Sequence, residues 1–200
     1  SVTHIGGALK GQSHRGTARC SLPTRWAYDL PARVSVWSQA VDGATVALGT
    51  EEGHVIVLDA EGNLKWSTVC EGKITALTFL EDDVIAGTHS GQVCRLDPEG
   101  CAKWRHQCRF RDERVFWPYW FLETPTIGAL DVGCDPESGL DLVAVGTGST
   151  SLNFLEAESG VLLEDVISPY GLPDRIRAHV STSTGGLQFL VGHAWLTCGS

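Results

Sequence analysis

The chain has 200 residues, of which 42% are hydrophobic and 20% are charged, and its formal net charge is −9 at pH 7. This composition is typical of a folded chain with a packed core and excludes an intrinsically disordered one. The acidic balance disfavours general binding to nucleic acid or to anionic membranes, and no run of 18 apolar residues predicts a transmembrane helix.

Residues 1–31 are predicted to be a lead-in that contains the outer part of one repeat unit, within Ser13–Trp26. The first complete unit is residues 32–69, where alternating and β-branched segments are separated by glycine-containing turns. Four short antiparallel strands in roughly 40 residues are the size of one β-propeller blade. The predicted strands are Arg33–Ala40, Thr45–Thr50, His54–Asp59 and Leu64–Val69.

The next unit, residues 72–108, repeats the pattern of the first in register. Gly53 and Gly91 are separated by 38 residues, and so are Trp66 and Trp104. A fixed offset that keeps both glycine and tryptophan in place indicates a structural repeat. The sequence therefore predicts two successive blades of the same design.

The repeated tryptophans and glycines are predicted to join neighbouring blades. Trp66 and Trp104 lie on outer strands, where a large ring fills the wedge between two blades and buries on the order of 200 Å². We expect Gly49 and Gly87 to let a ring from the adjacent blade approach the backbone. Both pairs of residues are interpreted as structural.

Residues 109–123 interrupt the repeat with a segment rich in arginine and aromatic residues. Six of the fifteen Lys and Arg residues of the chain lie between Arg95 and Arg114, which makes a local basic patch on an acidic protein. Arginine and aromatic side chains are enriched at binding hot spots. The alternative is that the aromatic residues pack under the loop and bind nothing. The candidate ligand-binding residues are Arg109, Arg111, Arg114, Trp117, Tyr119 and Trp120.

Residues 124–166 form a third, longer unit, with Leu163 where tryptophan would fall. Its acidic segment 131–143 resembles the calcium loop of FG-GAP-type propellers, because oxygen ligands alternate before an Asp-Leu-Val strand. Gly133 stands where an acidic residue is expected, so a hairpin turn is the preferred interpretation and no metal is predicted. The residues whose calcium binding stays open are Asp131, Asp135, Glu137 and Asp141.

Residues 167–200 are predicted to begin a further blade without completing it, with Gly192 or Gly199 as its blade glycine. The fold class is thus all-β, a β-propeller of about four four-stranded antiparallel blades that form a partial ring. A partial ring leaves strand edges unpaired. We expect the remainder of the propeller to lie on another chain or outside this segment.

The motif GxVxxLDxxGxxxW occurs at Gly53–Trp66 and at Gly91–Trp104 and resembles the repeat of quinoprotein-type propellers. The resemblance covers roughly residues 24–166, and the WD40 blade is the alternative, although its Trp-Asp dipeptide is missing. Quinone-binding members of this family use adjacent cysteines, and no Cys-Cys dipeptide occurs here, so we predict no cofactor. The same repeat serves dehydrogenases, assembly scaffolds and domains of adenylate-forming enzymes.

These observations favour a non-catalytic binding or scaffolding module that recognises a protein or an extended ligand on its funnel face. The alternatives are a quinoprotein-like oxidoreductase and a regulatory propeller attached to an adenylate-forming enzyme, so the question of enzymatic activity stays open. Seven cysteines, an odd number with one in place of a core isoleucine, favour a reducing compartment. The expected location is the cytoplasm.

Overall fold

A computed structural model of the chain describes residues 2–5, 8–10, 24–30, 36–109, 124–168 and 172–194. The described residues are all-β, as predicted. No membrane-spanning helix is found in this part of the chain. The strands are β1 (Val2–Ile5), β2 (Ala8–Lys10), β3 (Thr24–Tyr28), β4 (Val36–Asp42), β5 (Thr45–Thr50), β6 (His54–Leu58), β7 (Leu64–Val69), β8 (Ile74–Leu80), β9 (Asp83–Thr88), β10 (Gln92–Leu96), β11 (Ala102–Gln107), β12 (Ile127–Cys134), β13 (Asp141–Thr147), β14 (Ser151–Glu156), β15 (Leu162–Ile167), β16 (Leu172–Val180) and β17 (Leu187–Ala194).

The strands form five sheets, which we number as blades in chain order. Blades 2, 3 and 4 are four-stranded antiparallel meanders, with strand orders β4-β5-β6-β7, β8-β9-β10-β11 and β12-β13-β14-β15. Blade 1 is three-stranded in the order β2-β1-β3, and blade 5 is the hairpin β16-β17. The predicted class, a propeller with a partial ring, is confirmed.

The hydrophobic core lies between neighbouring blades. The second strand of each complete blade is almost entirely buried, whereas the outer strands β7, β11 and β15 alternate between half-buried and exposed residues. One buried cluster joins Val55 and Val57 of blade 2 to Ile74 and Val84 of blade 3. Each blade therefore completes the core of the next, and its apolar face is stabilised mainly by its neighbour.

The tryptophans of strands β3, β7 and β11 each pack on a turn glycine of the following blade. Trp26 faces Gly62, Trp66 faces Gly100, and Trp104 faces Gly160, with 2.6–2.8 Å between the nearest ring atom and a Cβ built on each glycine. All three glycines have positive φ, from 71° to 84°. The prediction that Trp66 and Trp104 fill equivalent wedges between blades is thus confirmed.

Gly49 and Gly87, on the second strands of blades 2 and 3, do not face an aromatic ring as the sequence suggested. A Cβ on Gly87 would lie 2.5 Å from Cγ2 of Ile127, and Gly49 faces Ile74 in the same way. Both isoleucines belong to the first strand of the following blade. The expectation of an aromatic ring at these glycines was therefore wrong, because the inner strands present a β-branched side chain there.

The tryptophan position of blade 4 is occupied by Glu164 and not by Leu163, which corrects the sequence interpretation. Glu164 pairs with Phe154 as Trp104 pairs with Arg95 in blade 3. The extra residue of this unit precedes Gly160, so the four-residue step from glycine to the tryptophan position is retained. Leu163 is instead 52% exposed on the outer strand.

Gly192 is the blade glycine of blade 5. It pairs with Arg175 directly beside a register shift, as Gly49 pairs with Ser38 and as Gly87 and Gly146 pair with residues of their inner strands. The other candidate, Gly199, lies outside the described residues. Blade 5 therefore contains the first two strands of a standard blade.

Candidate functional site

One face of the propeller carries both the turns after the second strands and the connections between blades. The backbone N–H of Cys70 donates to Gly53 O, and that of Cys108 donates to Gly91 O, both at 2.9 Å. These bonds fix the start of each connection beside the turn of its own blade. We call this the funnel face and define it by the turns 51–53, 89–91 and 148–150, the connection 70–73, and the two described ends of the next connection, 108–109 and 124–126.

The turns of the funnel face are held by a threonine that ends each second strand. Thr50, Thr88 and Thr147 are at most 1% exposed. Their hydroxyl oxygens accept hydrogen bonds from the backbone N–H of the first residue of the third strand, at 2.9, 3.1 and 3.4 Å. In each turn a buried hydroxyl group thus pairs with a backbone N–H that would otherwise lack a partner, and this bond fixes the conformation of the turn.

The two connections between complete blades differ greatly in length. Blades 2 and 3 are joined by residues 70–73, whereas blades 3 and 4 are joined by residues 108–126. Of the six predicted ligand-binding residues, the structure describes Arg109, which is exposed. The others lie outside the described residues, and they are Arg111, Arg114, Trp117, Tyr119 and Trp120.

The C-terminal end of the long connection is fixed on the 89–91 turn. The hydroxyl of Thr126 donates to His89 O at 3.1 Å, and its oxygen is 3.0 Å from His89 Nδ1. Pro125 packs so closely on Gly91 that no side chain would fit there. The long connection therefore returns to the funnel face at a well-defined point.

The N-terminal end is fixed on the same turn. Gln107 Nε2 donates to Ser90 O at 2.9 Å, and Cys108 is 1% exposed, directly before the exposed Arg109. Both ends of segment 110–123 thus leave from the funnel face between blades 3 and 4. Between blades 2 and 3 the funnel face is acidic, because Glu51, Glu52 and Glu71 are exposed there. The nearby Lys73 forms an ion pair with Glu51 at 3.6 Å.

A buried ionic cluster lies at the opposite face, between blades 3 and 4. Arg95, only 6% exposed, donates from Nε to Asp83 and from Nη1 to Glu158 at 2.8 Å and to Ala157 O at 2.9 Å. Lys103 Nζ also donates to Asp83, at 2.8 Å. The charges satisfy one another, so the cluster is a structural bridge between two blades.

This cluster was not predicted from the sequence. Register places Arg95 where blade 2 has Val57, and Asp83 where blade 2 has Thr45. An arginine inside an otherwise apolar strand was the available signal, because a buried charge requires a partner. The adjoining cleft of about 210 Å³ is lined partly by Glu81, Glu156 and Glu158.

The acidic segment of blade 4 forms a hairpin turn. Asp135 accepts hydrogen bonds from the hydroxyl and backbone N–H of Ser138 and from the N–H of Glu137, and these bonds lower the pKa of its carboxyl. Asp131 accepts from the N–H of Ala178 in blade 5 at 2.8 Å. Asp131 and Asp135, two of the four acidic residues considered for calcium, thus have separate roles, and the described ranges contain no cluster of three or more metal-ligating side chains.

The stacked antiparallel sheets define the chain as part of a β-propeller. Residues 23–165 match the model of the PQQ_2 family, described as outer membrane protein assembly factor BamB, and the chain belongs to that family. The assignment agrees with the quinoprotein-type resemblance of the repeats. No curated protein matches the sequence.

Solved structures share the fold. BamB from Moraxella catarrhalis is 18% identical with a TM-score of 0.63, over 91% of this chain and 55% of that one. A chain of a mitotic checkpoint complex is 14% identical with a TM-score of 0.66, over 90% and 51%. The computationally designed protein Ika4 is 17% identical with a TM-score of 0.57, over 80% and 93%. The chain therefore spans about half the length of the two larger structures, and at these identities the likeness concerns the fold alone.

Proposed function

We propose that the chain is a non-catalytic propeller module that binds a protein partner on its funnel face, through the segment between blades 3 and 4. The observation that carries this proposal is the contrast between two connections of the same type. Residues 70–73 suffice to join two blades, whereas residues 108–126 join the next two. A long insertion in a rigid repeat is where binding functions tend to be located.

The chemistry of the insertion supports an acidic partner. The insertion contains three arginines within six positions, Arg109, Arg111 and Arg114, in a chain of net charge −9. Guanidinium groups bind carboxylates through two parallel hydrogen bonds, and such pairs steer association. The aromatic residues that follow, Trp117, Tyr119 and Trp120, supply the apolar area typical of hot spots.

Two further observations fit a module of an assembly. The family model is described as an assembly factor, and one structural neighbour is a chain of a mitotic checkpoint complex. Blade 5, with two described strands, leaves a place for the remainder of a propeller on another chain or segment, which we include among the proposed partners. The five cysteines of the described ranges are free, which supports the proposal of a reducing, cytoplasmic location.

The test is the replacement of Arg109, Arg111 and Arg114 by alanine in one variant. Partners are recovered from an extract of the source organism on immobilised protein, at low and at high salt. We expect the triple variant to lose a partner that wild type releases at high salt, because screening weakens exposed charge pairs. Recovery of the same proteins by both forms would contradict the proposal.

A control variant separates the site from the loss of positive charge in general. It also removes three exposed cations, but from outer strands β7 and β11 and inner strand β16. This variant is expected to retain the partner, and both variants are expected to melt close to wild type. The control substitutions are Lys65→Ala, Arg105→Ala and Arg177→Ala.

A further inference from the structure

Two buried cysteines from adjacent blades lie against each other in the core. Cys70 directly follows β7 of blade 2, and Cys94 is the central residue of β10 in blade 3. Their Sγ atoms are 3.5 Å apart, and the residues are 7% and 0% exposed. Both are free thiols. The two thiol groups belong to different blades and lie close enough to form a covalent bond after a small displacement.

The two thiols differ in their surroundings. The hydrogen bond between the two thiols, together with the positive charge of Arg105, lowers the pKa of Cys70 although burial opposes this. The pKa of Cys94 is raised by the same hydrogen bond and by burial, and its Sγ lies 3.7 Å from Ala86 O. Cys70 is also the more accessible of the two, 7% exposed at the start of a connection, whereas Cys94 is fully buried in mid-strand, so Cys70 is the attacking residue of the pair.

The geometry leaves room for the sulfurs to meet. A disulfide is about 2.0 Å long, so the two Sγ atoms need to approach by about 1.5 Å. Cys94 is held in the middle of a strand, but Cys70 opens the short connection 70–73. The backbone N–H of Cys70 donates to Gly53 O at 2.9 Å, so the main chain of Cys70 is held by the turn of blade 2. The approach therefore comes from rotation of the two side chains, whose sulfurs are already in contact.

The next blade contains an internal comparison. Cys108 occupies in blade 3 the position that Cys70 occupies in blade 2, after the outer strand. The position of Cys94 is taken in blade 4 by Asn153. Burial and then the negative charge of Asp165 raise the pKa of Cys108 to about 12. Cys108 therefore lacks a neighbouring thiol at this position, and its pKa is raised where that of Cys70 is lowered.

We propose that Cys70 and Cys94 form a modification site at which a peroxide produces a disulfide between blades 2 and 3. The Cys70 thiolate attacks one peroxide oxygen, the O–O bond breaks, and hydroxide leaves and takes up a proton to form water. The Cys94 sulfur then attacks the sulfur of this sulfenic acid, and its thiol proton passes to the departing hydroxide; the S–O bond breaks and a second water leaves. Two thiols are oxidised, and one hydrogen peroxide is reduced to two waters.

The test is peptide mapping of the whole chain after treatment with hydrogen peroxide and alkylation of the remaining thiols. We expect a linked peptide pair containing Cys70 and Cys94, lighter by two hydrogen atoms than the separate peptides and absent after reduction with dithiothreitol. Because the link closes a loop across two blades, Tm is expected to rise on the order of 5–10 °C. Linkage confined to the exposed Cys101 and Cys134 would overturn the proposal.

Two variants distinguish the site from general cysteine oxidation. Cys108→Ser is expected to retain the linked peptide and the rise in Tm, because Cys108 is not part of the pair. Cys94→Ser is expected to lose both and to leave Cys70 as a sulfenic acid that dimedone traps. If Cys94→Ser does not fold, mapping of wild type against Cys108→Ser decides the matter, and absence of the Cys70–Cys94 link in both refutes the site.

Discussion

Trp66 of blade 2 packs face-on against Gly100 of blade 3, so that a methyl group on that glycine would lie 2.8 Å from the ring atom Cε3. The same contact joins blade 1 to blade 2 and blade 3 to blade 4. Between blades 3 and 4 the indole ring also forms a hydrogen bond: Trp104 Nε1 donates to Ala157 O at 2.8 Å. These contacts are the repeated joints by which each blade holds the next.

Gly100→Ala is predicted to destabilise the protein more than a backbone effect alone explains. Gly100 has φ of 84° and faces the Trp66 ring, whereas Gly72 has φ of 83° and open space at its Cβ. We expect about 1–2 kcal/mol for Gly72→Ala from backbone strain, and a further 1–3 kcal/mol for Gly100→Ala because the ring must move. Urea unfolding measures the loss of stability in both variants. Equal losses would contradict a tight contact between Trp66 and Gly100.

The buried cluster of blade 3 provides a second prediction. Asp83→Ala removes the buried carboxylate of Arg95 and leaves it only the exposed Glu158, so the change is expected to cost about 1.5–3 kcal/mol in the free energy of unfolding. The double variant Asp83→Thr, Arg95→Val installs the residues that blade 2 uses at these positions, Thr45 and Val57. We expect it to recover most of the loss in urea unfolding. A double variant as unstable as Asp83→Ala would show that the arginine is needed for another reason.

The repeat predicted the blades well because glycine, leucine and tryptophan recur at fixed steps within one sheet. Contacts between sheets were harder to predict, because they depend on how one blade is rotated against the next. Two contacts between sheets are examples: Cys70 lies next to Cys94, and Ile127 packs on Gly87. The insertion follows no repeat, so its composition suggests a function without defining a geometry.

His106 on outer strand β11 is predicted to make stability depend on pH. Burial lowers the pKa of His106, against a hydrogen bond to the Gly160 backbone that raises it. The unfolded chain then binds the proton more readily, so the free energy of unfolding falls as pH drops below about 6.5. His106→Gln should reduce this slope. An NMR titration of the imidazole with a midpoint at or above 6.5 would contradict the prediction.

The free edge of β17 is predicted to cause self-association. The second strands β5, β9 and β13 each pair with a third strand, whereas β17 pairs only with β16 among the described strands, and Leu190 on β17 is 61% exposed. An exposed apolar residue at an open sheet edge favours association. Sedimentation velocity is expected to show larger species as concentration rises, and fewer of them for Leu190→Glu. Leu64→Glu, at a 50% exposed site of outer strand β7, is the control and should leave them unchanged.

The most direct test of a binding site in the insertion is a photocrosslinker placed there. We would replace Tyr119 by benzoylphenylalanine, replace Lys65 on outer strand β7 in a control protein, and irradiate both in an extract of the source organism. We predict a protein crosslinked from position 119, absent from position 65 and lost when Arg109, Arg111 and Arg114 are alanine. The same crosslinks from both positions, or none from position 119, would contradict a binding site on the funnel face.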